Sequence, residues 1–127
     1  MGQQQLLLIV LGVIVVGIAV VVGINLFNAN ATSANRDGII SDLNNLGAMS
    51  QQYFKKPTSM GGGGNAFTSW TIPTGLDSTA NGTYSATVTA TQVTLVALGT
   101  ETGTDGSNPV KATATVTGNT ISVAVNN

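Results

Sequence analysis

A long apolar segment that contains no charged or polar side chain follows the first five residues of the chain. This segment runs from Leu6 to Ile24, and the first charged residue of the chain is Arg36. About 20 apolar residues in an α-helix cross the roughly 30 Å hydrocarbon core of a bilayer. The pattern therefore predicts a membrane-spanning helix over about residues 6–27, because a helix that is apolar on all sides requires lipid or other helices around it.

Apolar positions then recur with a helical period between Arg36 and Lys56. The apolar stripe consists of Ile39, Leu43, Leu46 and Tyr53. Such a stripe is typical of a helix that packs on a sheet. Pro57 is expected to end the helix, which predicts one helix over about residues 3–56. We expect the polar part of it, residues 25–35, to be the weakest, because Asn and Ser side chains compete for backbone hydrogen bonds.

The charges of this amphipathic half follow the order that a helix dipole favours. Asp37 and Asp42 lie early in it, and Lys55 and Lys56 lie at its end. The glycine run 61–64 is predicted to be a flexible connector. Beyond it, three apolar residues are expected to return the chain to the helix: Phe67, Trp70 and Ile72.

From Gly82 onward apolar residues recur at every second position, which indicates half-buried antiparallel strands. The predicted strands cover about residues 83–89, 92–98, 110–117 and 120–125. They would form a meander whose apolar face covers the helix stripe, with an exposed loop over 99–109. The expected fold class is α+β, a long N-terminal helix packed on a small C-terminal antiparallel sheet. The expected domains are the hydrophobic helix, 1–35, and the amphipathic helix half with the sheet, 36–127.

Composition excludes several classes of function. The 127 residues include no cysteine and no histidine, so thiol chemistry is unavailable and the commonest general base and metal ligand is missing. The four basic and five acidic residues give a net charge of −1, whereas a nucleic-acid surface requires a basic stripe. We therefore expect no enzymatic activity, no cofactor and no metal site, and no nucleic-acid partner is required.

The polar start, the apolar run, the amphipathic continuation and the C-terminal antiparallel sheet together resemble the type IV pilin superfamily. The likeness in architecture covers the whole chain, whereas the likeness in sequence is confined to the first third. It implies a structural subunit that is held in the inner membrane and then polymerises into an extracellular helical filament on the cell surface. The implied partners are other copies of the chain, membrane lipid before assembly, and the pilus assembly machinery.

The resemblance also implies where the assembly contacts lie. The docking end would consist of Gln3, Gln4, Gln5 and Leu6, and the helix contacts would involve Gly12, Gly17 and Gly23. The spacing of these glycines is not GxxxG, so a specific helix dimer is not predicted.

The mature N-terminus has two alternative registers. Cleavage after Gly2 would make Gln3 the first residue and Leu7 the fifth. Alternatively Met1 is the first residue and Gln5 is the fifth, directly before the apolar run, which fits the family pattern better. In either register the family's fifth-position glutamate is absent, so Gln5 offers a carbonyl but no charge. The family's C-terminal disulfide loop is absent as well.

Other functions stay open at this point. A pseudopilin or minor pilin of a secretion system would form only short fibres, and a single-pass membrane-anchored binding module would not polymerise. An archaeal-type pilin with a β-sandwich head would need about 7 strands. Sequons at Asn30 and Asn81 are candidate glycosylation sites, although short sequons arise by chance in a chain rich in Thr and Asn. A cleaved secretory signal over 1–31 and a calcium site around Asp105 are weaker alternatives.

Overall fold

The computed structural model describes residues 2–127, and this part of the chain contains one long helix followed by a sheet. The helix α1 spans Gln3–Lys55, a short 3-10 turn spans Thr58–Met60, and the four strands are β1 (Gly82–Val88), β2 (Val93–Thr102), β3 (Pro109–Val116) and β4 (Ile121–Val125). The α+β fold class predicted from the sequence is confirmed. The chain divides into two compact units, one up to Ala31 and one from Thr32 to Asn127.

From Gln3 to Ala31 the first unit is helical, and its apolar side chains are exposed. Every Leu, Ile, Val and Phe side chain from Leu6 to Phe27 is between 50% and 76% exposed. A helix rich in Val and Ile is weak in water, so it depends on surroundings that force its backbone hydrogen bonds to close internally. By length and composition α1 could cross a membrane, and its position near the N-terminus also fits a signal sequence.

The second unit contains an antiparallel sheet in the simple order β1-β2-β3-β4. One cross-strand row shows the register: Ala86 lies opposite Leu95, Leu95 opposite Ala114, and Ala114 opposite Val123. All four residues are apolar and share one face, since side chains alternate between the two faces of a strand. This alternation is the period of two that the sequence shows.

The core lies between this sheet face and the second half of α1. The buried helix residues include Ile39, Leu43 and Leu46, which are the predicted stripe, and Tyr53 packs against them half-buried. Phe67 and Trp70 are buried in the same cluster, so the predicted apolar anchors are confirmed. The buried Ser50 hydroxyl is satisfied locally, because it donates to the Gly47 carbonyl at 2.7 Å.

At Gly47 the helix lies close to the sheet. A Cβ at this position would lie 3.0 Å from Ile121 Cδ1 and 3.3 Å from Val116 Cγ2. Interiors are packed too tightly to absorb such a contact without movement of the neighbours. The missing side chain at Gly47 therefore allows β3 and β4 to lie directly on α1.

The glycine run after α1 has defined contacts and is not the predicted flexible connector. The Gly63 amide donates to Tyr53 O at 2.7 Å, and the Gly64 amide donates to Lys56 O at 2.9 Å. These bonds satisfy carbonyl groups that the last helical turn leaves without a partner. A Cβ at Gly63 would lie 1.8 Å from the Ala66 carbonyl oxygen, so only glycine fits there.

Residues 25–35 are helical without interruption, and their expected weakness within the helix stays a prediction. Two other local predictions are corrected. Because α1 begins at Gln3, Asp37 and Asp42 lie in the middle of the helix, where the dipole does not favour them. The strand β2 extends to Thr102, so the loop predicted from residue 99 begins later, after an irregularity between Leu98 and Thr102.

The core packing leads to a stability prediction for Leu43→Ala. This change deletes a fully buried side chain, and we expect it to lower the free energy of unfolding of the second unit by about 2–4 kcal/mol. The measurement is denaturant unfolding of the full chain in detergent, followed by emission of Trp70, the chain's one tryptophan. Leu98→Ala is the matched control, because Leu98 is 42% exposed and should change the stability much less. Equal losses in both variants would contradict the described core.

Candidate functional site

The sequence-predicted assembly residues all lie in the first unit, on the surface of α1. Gln3, Gln4, Gln5 and Leu6 form its first turns and are exposed. The helix starts with bonds from the Gln5 and Leu6 amides to the Gly2 carbonyl, at 3.2 and 3.3 Å. The alternative mature N-terminus, Met1, lies outside the described residues.

The three helix glycines do not share one face. Gly12 and Gly23 are eleven residues apart, which is close to three turns of 3.6 residues, so they lie on the same side of α1. Gly17 lies on a different side. A Cβ added at any of the three would meet no atom within 4 Å, so none of these glycines is required by contacts within the chain. Each instead leaves a shallow depression in the apolar surface.

A polar cluster around Asp42 joins α1 to β1 in the second unit. The carboxylate oxygen Oδ2 of Asp42 accepts hydrogen bonds from the Tyr84 hydroxyl, from Thr79 Oγ1 at 2.9 Å and from Asn81 Nδ2 at 3.1 Å. Thr79 Oγ1 also accepts a bond from the Asn81 amide at 3.2 Å. One carboxylate thus holds both the start of β1 and the turn before it.

The environment of this cluster shifts both of its titratable groups. Burial opposes the charge of Asp42, but the hydrogen bonds from Tyr84, Asn81 and Thr79 together outweigh it and lower the pKa of Asp42. Burial and the hydrogen bond to Asp42 raise the pKa of Tyr84 to about 12. The pair is therefore an ionised carboxylate and a neutral phenol over the whole physiological range, which is a structural arrangement rather than a poised acid–base pair.

Asn35 forms a second polar link, between α1 and the irregular end of β2. Its Oδ1 accepts from the Thr100 and Glu101 amides at 3.1 and 3.3 Å. Its Nδ2 donates to Asn81 O at 2.7 Å and to Thr100 Oγ1 at 3.2 Å. A Cβ at Gly99 would lie 2.1 Å from Asn35 Oδ1. The side chain of Asn35 therefore supplies partners for backbone groups where the strand ladder is irregular.

Arg36 lies beside Asn35 but lacks comparable partners. Its Nε and Nη2 atoms are buried and have no hydrogen-bond partner among residues 2–127. Unsatisfied buried donors are rare in native proteins, and those of a charged group are the most costly.

The remaining candidates from the sequence have structural roles in this fold. Asp105 closes its own turn: its Oδ1 accepts from the Ser107 and Asn108 amides at 3.0 and 2.9 Å. These bonds lower the pKa of Asp105. Within residues 2–127 no three acidic side chains come together in a way that could hold a metal ion.

The two sequons differ in their surroundings. The side chain of Asn30 is exposed on α1. Asn81 is half-buried, and its Nδ2, the atom that would carry a glycan, is bonded to Asp42. A glycan at Asn81 would have to break this bond.

Sequence reasoning missed the roles of Asn35, Arg36 and Asp42. The spacing of Asn35 and Asp42 in the sequence could have indicated their roles. Asn35 and Asp42 are seven residues apart and flank Ile39 on the buried side of the helix, where a polar residue requires a partner. The identity of that partner was not readable, because it lies 46 or 42 residues away in the chain.

Comparisons of the chain with family models, with curated proteins and with solved structures gave no match.

The first prediction for this site concerns Asp42→Asn and pH. A carboxyl group whose folded pKa is lowered stabilises the fold above its unfolded pKa of about 4, and this contribution is lost as the pH falls through the folded value. We expect Asp42→Asn to lower the free energy of unfolding by about 1–2 kcal/mol near pH 7. The difference from the unmodified chain should begin to shrink below about pH 4 and should be lost as the pH falls through the lowered folded pKa of Asp42.

The matched control is Asp37→Asn, which removes an exposed carboxylate from the same helix and should leave the stability nearly unchanged. Denaturant unfolding from neutral to acid pH provides the measurement. Asp105 contributes equally to the acid response of both proteins, so the comparison cancels it. A constant difference at all pH values would show that the charge of Asp42 is not what stabilises the cluster.

The second prediction concerns Asn35→Ala. The change leaves the Thr100 and Glu101 amides without their side-chain acceptor, and we expect a loss of about 1–3 kcal/mol. Hydrogen exchange should show faster exchange of those two amides than of amides in the centre of β2. Asn44→Ala, on an exposed position of α1, should leave their exchange unchanged; if it accelerates them equally, Asn35 is not their specific partner.

Proposed function

We propose that this chain is the structural subunit of a filament of the type IV pilus kind, and that it polymerises through the hydrophobic first half of α1. The observation that carries the proposal is the exposure of every large apolar side chain from Leu6 to Phe27. At about 25 cal/mol per Å² of apolar surface, a helix with this surface strongly resists transfer into water. It must be covered by lipid or by other protein.

Membrane lipid and neighbouring helices would cover this surface in turn. In the inner membrane, lipid chains surround the helix before assembly. In the filament, which is extracellular and attached to the cell surface, the helices of other subunits replace the lipid. The depressions at Gly12 and Gly23 on one side of α1 and at Gly17 on another allow close approach of helices from more than one direction. A helix in a filament core has neighbours on several sides, whereas a dimer needs only one such face.

The docking end of the proposed subunit is uncharged. Gln3, Gln4 and Gln5 present amide groups, which can bond a neighbour's N-terminal amine through a carbonyl oxygen but cannot neutralise its charge. A buried amine without a counter-charge is destabilised by several kcal/mol. We therefore infer that the amine of this subunit keeps contact with water or is bound by more than one amide oxygen.

The second unit would form the outer layer of the filament. Its exposed side chains are mainly Thr, Ser and Asn, and the net charge of the chain is −1, so neighbouring copies repel one another little. In this proposal the chain is not an enzyme and needs no cofactor. Its partners are other copies, membrane lipid and the assembly machinery.

The direct test is electron microscopy of material sheared from the cell surface, with mass spectrometry of the subunit. Thin uniform filaments made of this chain would support the proposal, and the N-terminal mass would distinguish Met1 from Gln3 as the first residue. A chain that stays in the membrane without filaments would indicate an anchored binding module or a pseudopilin. A product that begins near residue 32 would indicate a cleaved secretory signal.

The proposal also predicts the effect of Gly17→Leu. The added side chain meets no atom of its own chain, so the subunit should still fold and enter the membrane. It should hinder the approach of a neighbouring helix and reduce the yield of sheared filaments at least tenfold. The matched control is Val16→Leu, which enlarges an exposed side chain one position away and should be tolerated much better. Filament yield is compared with the amount of subunit in the membrane; an unchanged yield in Gly17→Leu would refute a contact at this glycine.

A further inference from the structure

The strand β4 leaves one edge of the sheet open. The Thr117 amide donates to Thr120 O at 2.9 Å, so these two residues form a hydrogen-bonded pair at the start of the β3–β4 ladder. In an antiparallel ladder such pairs recur at every second residue. Ser122 and Ala124 therefore bond to β3, and the residues between and beside them do not.

Three residues of β4 turn their backbone groups away from β3 as a consequence: Ile121, Val123 and Val125. Among residues 2–127 their amides and carbonyls have no hydrogen-bond partner outside the β3–β4 ladder. The side chain of Val125 is 47% exposed. Unpaired backbone groups along an edge are a ready template for another strand.

The opposite edge of the sheet is protected. The Tyr84 amide, which points away from β2, donates to Asp77 O at 2.9 Å, and an isolated bridge joins Ser78 to Thr83. The chain before β1 thus covers the first part of that edge. The two edges are therefore unequal, and β4 is the more available one.

The edge of β4 also lacks the usual protection by charge or proline. From Val116 to Asn127 the sequence contains no charged residue and no proline. Edge strands of soluble proteins commonly carry lysine or proline, which disfavour pairing with a second chain. A short, uncharged and β-branched strand such as Ile121–Val125 instead favours it.

We propose that β4 pairs in the antiparallel direction with β4 of a second copy, about a twofold axis at Val123. In this register Val123 lies opposite Val123 of the partner subunit, and Ile121 lies opposite Val125 of the partner subunit. All three outward-facing residues then exchange hydrogen bonds in pairs. The two sheets become one continuous sheet.

The proposed partner strand belongs to a second copy of the chain. A twofold contact of this kind places the same strand opposite itself. Any charge at its centre would face an identical charge and destabilise the pair. The absence of charge over the whole segment 116–127 removes that obstacle. Ile and Val side chains also come to lie side by side, which is a favourable cross-strand combination.

This pairing has a consequence that rests on the proposed filament. If the twofold axis lies across the filament axis, the two paired copies point in opposite directions. The contact would then join subunits of two filaments that lie side by side. The open edge of β4 is then a site of lateral bundling.

Cysteine substitution tests the register directly, because the chain has no cysteine of its own. In the proposed pair, the two copies of residue 123 have Cβ atoms about 5 Å apart. The two copies of residue 125 are separated by four strand positions, about 14 Å. A bifunctional thiol reagent whose reach lies between these distances should link Val123→Cys into dimers and leave Val125→Cys monomeric. The full chain is used, both in detergent and in sheared filaments.

The comparison excludes random association, because residue 125 is more exposed than residue 123 and collisions would link it first. A second comparison tests the backbone bonds. Val125→Pro removes an outward amide hydrogen that the β3 ladder does not use, whereas Val125→Thr keeps it. We expect Val125→Pro to reduce dimers and filament bundles several-fold, and Val125→Thr to leave them unchanged.

Each outcome supports or overturns the β4 pairing. Equal linking at both positions, stronger linking at 125, or equal behaviour of the proline and threonine variants would overturn the β4 pairing. Specific linking at 123 in a chain that makes no filaments would support the pairing and refute the proposed function. Filaments whose subunits show no linking at 123 would support the function and refute the pairing.

Discussion

The central constraint on this protein is the apolar surface of α1 between Leu6 and Phe27. Its backbone groups are satisfied inside the helix, so lipid chains or other helices can surround it without loss of hydrogen bonds. Nothing in residues 2–127 covers its side chains. Transfer of this surface into water is unfavourable. In the proposed subunit, the hydrophobic effect would therefore determine both its place in the membrane and its assembly.

The second unit contains a small sheet that is stabilised without disulfides. A four-stranded meander with one apolar face buries little surface by itself, and the stripe of Ile39, Leu43 and Leu46 supplies the missing layer. Asn35 and Asp42 then fix the register of helix against sheet through directional hydrogen bonds. Apolar contacts alone would tolerate sliding of the helix, whereas a carboxylate with three donors tolerates very little.

The sequence predicts the periodic parts of this fold well and its irregular parts poorly. The period of two identifies all four strands, and the helical period identifies the buried stripe, because both patterns record burial directly. The end of β2 was misplaced because Gly99 to Thr102 do not alternate; their conformation depends on Asn35, a residue distant in sequence. The hydrogen bonds from Gly63 and Gly64 to the end of α1 were also missed. A glycine run is equally compatible with a flexible connector and with close packing. Polar partners that are distant in sequence, such as Asp42 and Tyr84, produce no periodic pattern.

The low charge of the chain affects contacts both of the helix and of the open sheet edge. A neutral surface lets copies crowd, but it also removes the repulsion by which most proteins prevent unwanted association. In the proposed assemblies, recognition between copies would then depend on shape and on backbone hydrogen-bond register. On α1 the shape is set by glycines on two sides of the helix. On the sheet the register is set by the three outward-facing residues of β4. Charge, which normally selects partners at a distance, has little part in either contact, so specificity arises only once surfaces are already close.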